Sequence, residues 1–504
     1  MIPRRFPLAL LPFLVWFCQV SRAQQTPELI RVTATHVNVD VRVLNGKTGQ
    51  PVPGLTREDF EVSEDGVSQE ITHFSRDQLP VSVVLLLDVS GSMQQTIDEL
   101  RIDALQTLQR LKPEDEVALI AYGGLAQLVQ DFTTDRQAVV DRIGGVNDYY
   151  LGPRNTVLSE AVFQAAVHMA HAANPAARRV MVVITDDVST DNYLAHTKQE
   201  ALGQLVESTA SLYGLTITTY GKLLHDQVVR RAQDEQATMP EAPGPSGQVR
   251  PSHVSPLLPL YVELKDFADP TGGAVFPTKY GAVAAKLGEI LDDIRACYSI
   301  GYTPSDPTRN GRFRQIRVRL KRKIIDEPTG KEIKLVVIAR RGYYAGEPQL
   351  PQDSKSARVS PPVSASNPEL QMARALYFAK DRNDFRSSIS SSVSLDAQGQ
   401  GLVRIKLSID PTGIHPEMVN RRYTVNLKLL AAVLNESGMM LANYGDSHQF
   451  RFDDAEYRNF VHSGTSVSLN FTLRPGRYEV KAVLFDPDSR QMSTCHTSVD
   501  ITPP

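Results

Sequence analysis

Hydrophobic and polar positions change rhythm several times along the 504-residue chain. From about residue 32 to 75 they alternate. His36-Val37-Asn38-Val39-Asp40-Val41-Arg42-Val43 has the period of two expected of a half-buried strand. Asn45-Gly46 and Asp65-Gly66 supply turns between further strands at Phe60-Glu61-Val62 and Glu70-Ile71-Thr72. At Val81 alternation gives way to an unbroken apolar run through Leu87, the pattern of a strand covered on both faces. Ile97, Leu100, Leu105, Leu108 and Leu111 then fall near helical spacing. The same exchange repeats: strand 117–122, helix 157–172, strand 180–185, helix 200–213, strand 215–220, and a last helix 282–296. Strands alternating with helices predict a doubly wound α/β domain with a parallel sheet, over residues 80–297.

Strand patterning returns at 297–302, 313–321 and 333–340. Because domains of this kind bring their ends close together, the α/β unit is expected as an insert. Segments 30–79 and 298–345 would then complete one β-sandwich around it. Residues 346–367, rich in proline and serine, read as a linker. A short helical stretch at 369–379 follows, then alternating strands at 403–407, 423–430 and 478–484. These predict an immunoglobulin-like β-sandwich over 368–504. Inside the α/β unit, 223–259 carries six prolines and reads as a long loop after a strand end, where open α/β sheets place ligands.

The first 23 residues stand apart. Arg4 and Arg5 precede a nearly unbroken apolar run from 8 to 20, and Ser21-Arg22-Ala23 offers small residues for cleavage. The expectation is an exported chain, secreted or periplasmic, with no stable membrane insertion after cleavage. Removing this segment takes three arginines and no acids, so the net charge of −3 becomes −6. Mixed charges without a basic surplus exclude a general nucleic-acid binder. Three cysteines are too few for a disulfide scaffold or a multi-cysteine zinc module; Cys297 and Cys495 are expected as free buried thiols.

Candidate chemistry gathers where the first buried strand ends. Asp88-Val89-Ser90-Gly91-Ser92 places one carboxylate and two hydroxyls on a tight strand-to-helix loop, with Gly91 allowing a close turn. Hard oxygen donors of this kind suit a small divalent cation. The same residues are also favoured helix caps.

With these residues in view, 80–297 resembles a von Willebrand factor type A domain. Asp88, Ser90 and Ser92 look like the opening of its metal-ion-dependent adhesion site. The resemblance supplies two further ligands, Thr156 in Asn155-Thr156-Val157 and Asp186 in Ile184-Thr185-Asp186-Asp187. It departs from the family where Pro153-Arg154-Asn155 replaces glycines before the threonine, and where Asp187 replaces a glycine after the aspartate. Together with Asp59-Phe60-Glu61-Val62, Tyr298-Ser299-Ile300-Gly301-Tyr302 and Arg341-Gly342-Tyr343-Tyr344, the chain is similar over about 30–345 to the VWFA-related family of secreted acidobacterial proteins.

The resemblance implies Mg2+, with Mn2+ or Ca2+ as alternatives, and a protein partner that presents Asp or Glu to an open metal position. Chelation would then abolish binding. The expected function is metal-dependent adhesion rather than catalysis. One alternative is a structural envelope or extracellular component with an idle metal site. A haloacid dehalogenase-type phosphatase is the lesser one, because Ser90 stands where its acid/base carboxylate should be.

Overall fold

The computed structural model describes residues 36–76, 79–146, 156–189, 196–219, 222, 262–323, 325–326, 331–346, 368–377, 382–412, 414, 416–419 and 421–502. The leader-like segment 1–23, the loop 223–259 and residues 347–367 lie outside them.

The apolar run at Val81 forms the strand Val81–Asp88 at the middle of a six-stranded sheet. Its neighbours on one side are Arg178–Thr185, Ser211–Ile217 and Ala274–Thr278, all parallel. On the other side Glu116–Tyr122 is parallel and Ala126–Thr133 antiparallel. Five of the six strands form a parallel core, and the antiparallel edge strand Ala126–Thr133 makes the sheet mixed, which corrects the expected parallel sheet at that edge alone. The chain turns back at once through Gly123, whose N–H donates to the Leu125 carbonyl at 2.9 Å. Alternate side chains of the central strand feed two cores. Val83, Leu85 and Leu87 meet the helices Gln94–Leu108, Arg136–Gly144 and Val283–Arg295. Val84 and Leu86 meet Leu158–His168, Lys198–Glu207 and Lys265–Thr271.

One boundary needs correcting. The expected helix 200–213 ends at Glu207, and the following strand begins at Ser211. Thr209 adopts a left-handed backbone, φ +61°, which stops the helix although Leu212 and Tyr213 continue its spacing. The carbonyl ends of Lys198–Glu207 are partly met by the Ser208 hydroxyl, which donates to Leu205 O at 2.7 Å.

Two four-stranded antiparallel sheets draw on segments either side of this unit. One is ordered Leu335–Ala339, Val37–Asn45, Tyr298–Tyr302, Ile71–Arg76; the other Gly342–Tyr344, Phe313–Leu320, Phe60–Glu64, Val67–Gln69. Val39, Val41, Phe60, Val62, Ile300 and Tyr302 fill the space between them. Buried guanidinium groups join these sheets to the α/β unit. Arg42 donates to Asp293 at 2.6 Å and to Gly273 O at 2.7 Å, and Arg178 donates to Asp40 and to the Ser299 hydroxyl, both at 3.0 Å. Of the neighbouring pair Asp292 and Asp293 on the last helix of the α/β unit, Asp293 is thus a partner in the junction, whereas Asp292 is exposed.

The C-terminal region pairs Ser387–Leu395, Gly401–Ile409 and Thr465–Leu473 in one antiparallel sheet. Arg422–Asn435, Gly476–Asp486 and Gln491–Ile501 form the body of a second. Met440–Phe452 pairs with Arg422–Asn435 at the other edge. Val403, Ile405, Leu427, Leu429, Val480 and Ala482 share the core between the sheets. A helix absent from the sequence reading, Asp454–Ser463, bridges them, capped by Asp453 on the amides of Ala455 and Glu456. Among the described residues no helix is long and apolar enough to cross a membrane. Cys297 and Cys495 are free; the first is buried and the second only half-buried.

Candidate functional site

The carboxyl ends of the parallel strands bring polar side chains to one edge of an otherwise apolar sheet. Asp88 closes the central strand opposite Tyr122 of its neighbour, and Thr185 closes the strand on the other side. Asp186 follows directly, and Thr219 lies just beyond Ser211–Ile217. Asp88 and Asp186 are both almost wholly buried.

Their oxygens are held by hydroxyls and amides rather than by cations. Thr185 Oγ1 donates to Asp88 Oδ2 at 2.6 Å, and the Ser90 amide donates to Oδ1 at 2.8 Å. Thr219 Oγ1 donates to Asp186 Oδ2 at 2.9 Å. Among the described residues no lysine or arginine pairs with either carboxylate. Burial therefore dominates, and with the Asp186 charge alongside it pushes the Asp88 carboxyl up to about 6, against the pull of its hydrogen bonds. The fully buried Tyr122 phenol is raised well above its ordinary range, by burial first and then by Asp88.

The serines do not act as helix caps here. Ser90 precedes the short 3-10 turn Gly91–Met93 without a side-chain capping bond, and the helix Gln94–Leu108 likewise starts without one. Instead Ser90 Oγ and Ser92 Oγ lie 3.1 Å apart. Gly91 differs from expectation. Its φ is not positive, and a Cβ there would meet nothing within 4 Å, so the turn itself does not require glycine.

Thr156 is buried just ahead of the helix Leu158–His168. Its carbonyl accepts from Ser189 Oγ at 3.3 Å, which ties it to the segment leaving Asp186. Residues 153–155, where the chain departs from the family's glycines, lie outside the described residues. At the other departure, Asp187 has φ +58°, a conformation in which glycine is unstrained. Its carboxylate accepts the Leu264 amide at 3.0 Å and lies 3.6 Å from Lys222 Nζ. Burial raises its pKa to about 6, opposed by that amide and by Lys222.

Sequence reasoning did not single out Thr185, Thr219, Tyr122 or Tyr280, whose hydroxyl donates to Ser92 O at 3.1 Å. The available signal was position. Each lies at or just past the carboxyl end of a sheet strand, or in the turn before the last helix.

As a donor set, these groups offer two buried carboxylates and adjacent hydroxyls, all hard oxygens that fit a small divalent cation. Asp88, Ser90, Ser92, Thr156 and Asp186 would hold it. No cluster of three or more His, Cys, Asp or Glu suited to a metal occurs among the described residues, so any cation here would depend on the hydroxyls.

A family model for the von Willebrand factor type A domain matches residues 83–188, so such a domain is present in this part of the chain. Among solved structures, the chain is similar to the conserved protein BatB of Bacteroides thetaiotaomicron. That match has 15% identity and a TM-score of 0.29, over 42% of this chain and 98% of that one. A von Willebrand factor type A protein of Catenulispora acidiphila matches with 12% identity and a TM-score of 0.31, over 64% of this chain and 82% of the other. The PilB minor pilin of Streptococcus sanguinis matches with 11% identity and a TM-score of 0.28, over 44% of this chain and 62% of its own. No curated protein matches the chain.

Proposed function

We propose that the protein is a secreted, divalent-cation-dependent binding protein that engages an acidic side chain of a protein partner. The observation that carries this reading is the pair of buried carboxylates, Asp88 and Asp186, without a basic partner among the described residues. Beside them the hydroxyls of Ser90 and Ser92 lie side by side instead of capping a helix. Two buried acids side by side, with Asp88 held above its ordinary range by burial first and also by the Asp186 charge, are a cost to the fold that a cation would relieve.

When bound, Mg2+ would supply positive charge and an exchangeable coordination position for an incoming carboxylate. Asp88 and Asp186 supply the negative charge, with their orientations fixed by Thr185 and Thr219. Ser90, Ser92 and Thr156 add neutral oxygens, so the two carboxylates would balance the cation without overcharging it, and the exchangeable position would stay open to an acidic partner. The acidic balance of the mature chain opposes such a partner, so attraction has to be local.

Magnesium titration by calorimetry tests the reading. The wild-type protein is expected to bind with a Kd at or below the millimolar range, and Asp88→Ala to lose the binding heat. Capture of a partner from native extract should require Mg2+ and fail after chelation. Absence of any Mg2+, Mn2+ or Ca2+ heat in the folded wild-type protein would refute it. One observation favours the second reading, a structural component with an idle site. Asp88, Ser90 and Ser92 already satisfy hydrogen bonds among themselves and with Thr185. In that case partners captured with and without chelator would be the same.

A further inference from the structure

The C-terminal sandwich reaches into the α/β unit. Met439, on the turn after Arg422–Asn435, is wholly buried, and it belongs to the cluster formed by Val84, Leu86 and Ala126 rather than to its own core. Beside it Gln127, also buried, donates to Leu441 O at 3.1 Å and accepts from Asn443 Nδ2 at 2.7 Å. The seam continues along the same edge. Leu125 and Val157 of the α/β unit share one buried cluster with Met372 and Leu376 of the helix Pro368–Tyr377 and with Met440 and Phe485 of the sandwich.

Val157 follows Thr156 directly. Its amide donates to Gly123 O at 3.0 Å, and its side chain sits in the seam, 2% exposed. The helix that starts at Leu158 has no side-chain cap at Val157 to fix its first turn. An uncapped helix start frays unless packing holds it. Leu158 and Ala161 of this helix pack into the α/β core, whereas Val157 at its start packs into the seam with the C-terminal region.

We infer that the C-terminal sandwich, with the helix Pro368–Tyr377, is a positioning element for Thr156, acting through Val157. The inference rests on the cation-binding reading only for what Thr156 does, not for where it is held. The module is then part of the site's support rather than a detached spacer.

The test is hydrogen exchange on the full chain carrying Leu376→Asp, with Gln127→Ala as a milder lesion in the same seam. Amides 157–162 are expected to exchange at least about tenfold faster in Leu376→Asp, and several-fold faster in Gln127→Ala. Amides 83–87 in the central strand should keep their protection, and Leu376→Met should restore wild-type exchange at 157–162. Should Leu376→Asp fail to fold, Gln127→Ala decides alone. Unchanged exchange at 157–162, or an equal increase throughout the protein, would overturn the inference. Magnesium titration of the same proteins answers a separate question. A wild type without Mg2+ binding refutes the proposed function, while the exchange result still decides whether the seam positions Thr156.

Discussion

Asp187 combines an unfavourable backbone with a favourable side chain, and the two effects can be separated by substitution. Its φ of +58° costs a non-glycine residue of order 1 kcal/mol, although Asp tolerates this region better than most. Its carboxylate repays this by accepting the Leu264 amide and facing Lys222. Asp187→Gly relieves the backbone and loses those contacts, so its stability in urea denaturation is expected within about 1 kcal/mol of wild type. Asp187→Val loses the contacts and adds a β-branched side chain to a left-handed backbone, for an expected loss of about 2–3 kcal/mol. Equal losses in the two variants would show that the backbone conformation is not what matters. Gly91 gives the opposite case. With φ not positive and open space where a Cβ would stand, Gly91→Ala should leave thermal stability unchanged within about 0.5 kcal/mol. A weaker Mg2+ titration in that variant would assign Gly91 to ligand approach rather than to folding.

At the scale of elements, what could be read in advance depended on how local the signal was. Val81 to Leu87 stands out because an apolar run with no polar interruption has few alternatives to a buried strand, and the Asp-x-Ser-x-Ser group lies within five residues of its end. Ala126–Thr133 gave no such signal. Gln127, Gln130 and Asp131 break its pattern because it is the sheet's antiparallel edge, with one face taken by the C-terminal region. Thr185 and Thr219 were hidden for another reason. Their roles come from strand adjacency, which brings Thr185 to Asp88 across 97 positions of sequence. The helix Lys265–Thr271 and strand Ala274–Thr278 were missed because Pro270 and two glycines fill the span between their apolar residues. Those glycines are structural. A Cβ on Gly273 would stand 1.7 Å from the Leu212 carbonyl oxygen, and the Gly273 carbonyl also receives Arg42. Gly273→Ala must therefore push two backbones apart, and a loss of at least about 3 kcal/mol in denaturant titration is expected. A loss below 1 kcal/mol would mean that this junction is more yielding than its packing indicates.

For the whole molecule, the question is whether the interleaved sheets and the α/β unit behave as one cooperative body. Their junction is polar as well as apolar. Arg178, 4% exposed, begins the strand Arg178–Thr185, yet its guanidinium serves Asp40 and Ser299 of the neighbouring sheet and the Ile294 carbonyl at the end of the last helix. Arg42 runs the other way, from the sheet to Asp293 and Gly273 of the α/β unit. Burial alone would lower both guanidinium pKa values, but the nearby acids more than offset it, so both groups stay charged. Replacing Arg178 by Met keeps most of the volume and removes the charge, leaving Asp40 and the Ile294 carbonyl without their guanidinium. Breaking a buried pair from one side typically costs 3–5 kcal/mol. Asp40 retains some contact with water, so about 3 kcal/mol is expected for Arg178→Met. The double change Arg178→Met with Asp40→Asn removes the orphaned charge and should recover at least about 1 kcal/mol of that loss. Urea denaturation followed separately by tyrosine fluorescence and far-ultraviolet circular dichroism distinguishes the outcomes. Coincident transitions in the wild type that separate in Arg178→Met would identify the guanidinium junction as what makes the two units unfold together. Transitions that stay coincident with an unchanged midpoint would place that coupling in the apolar contacts instead.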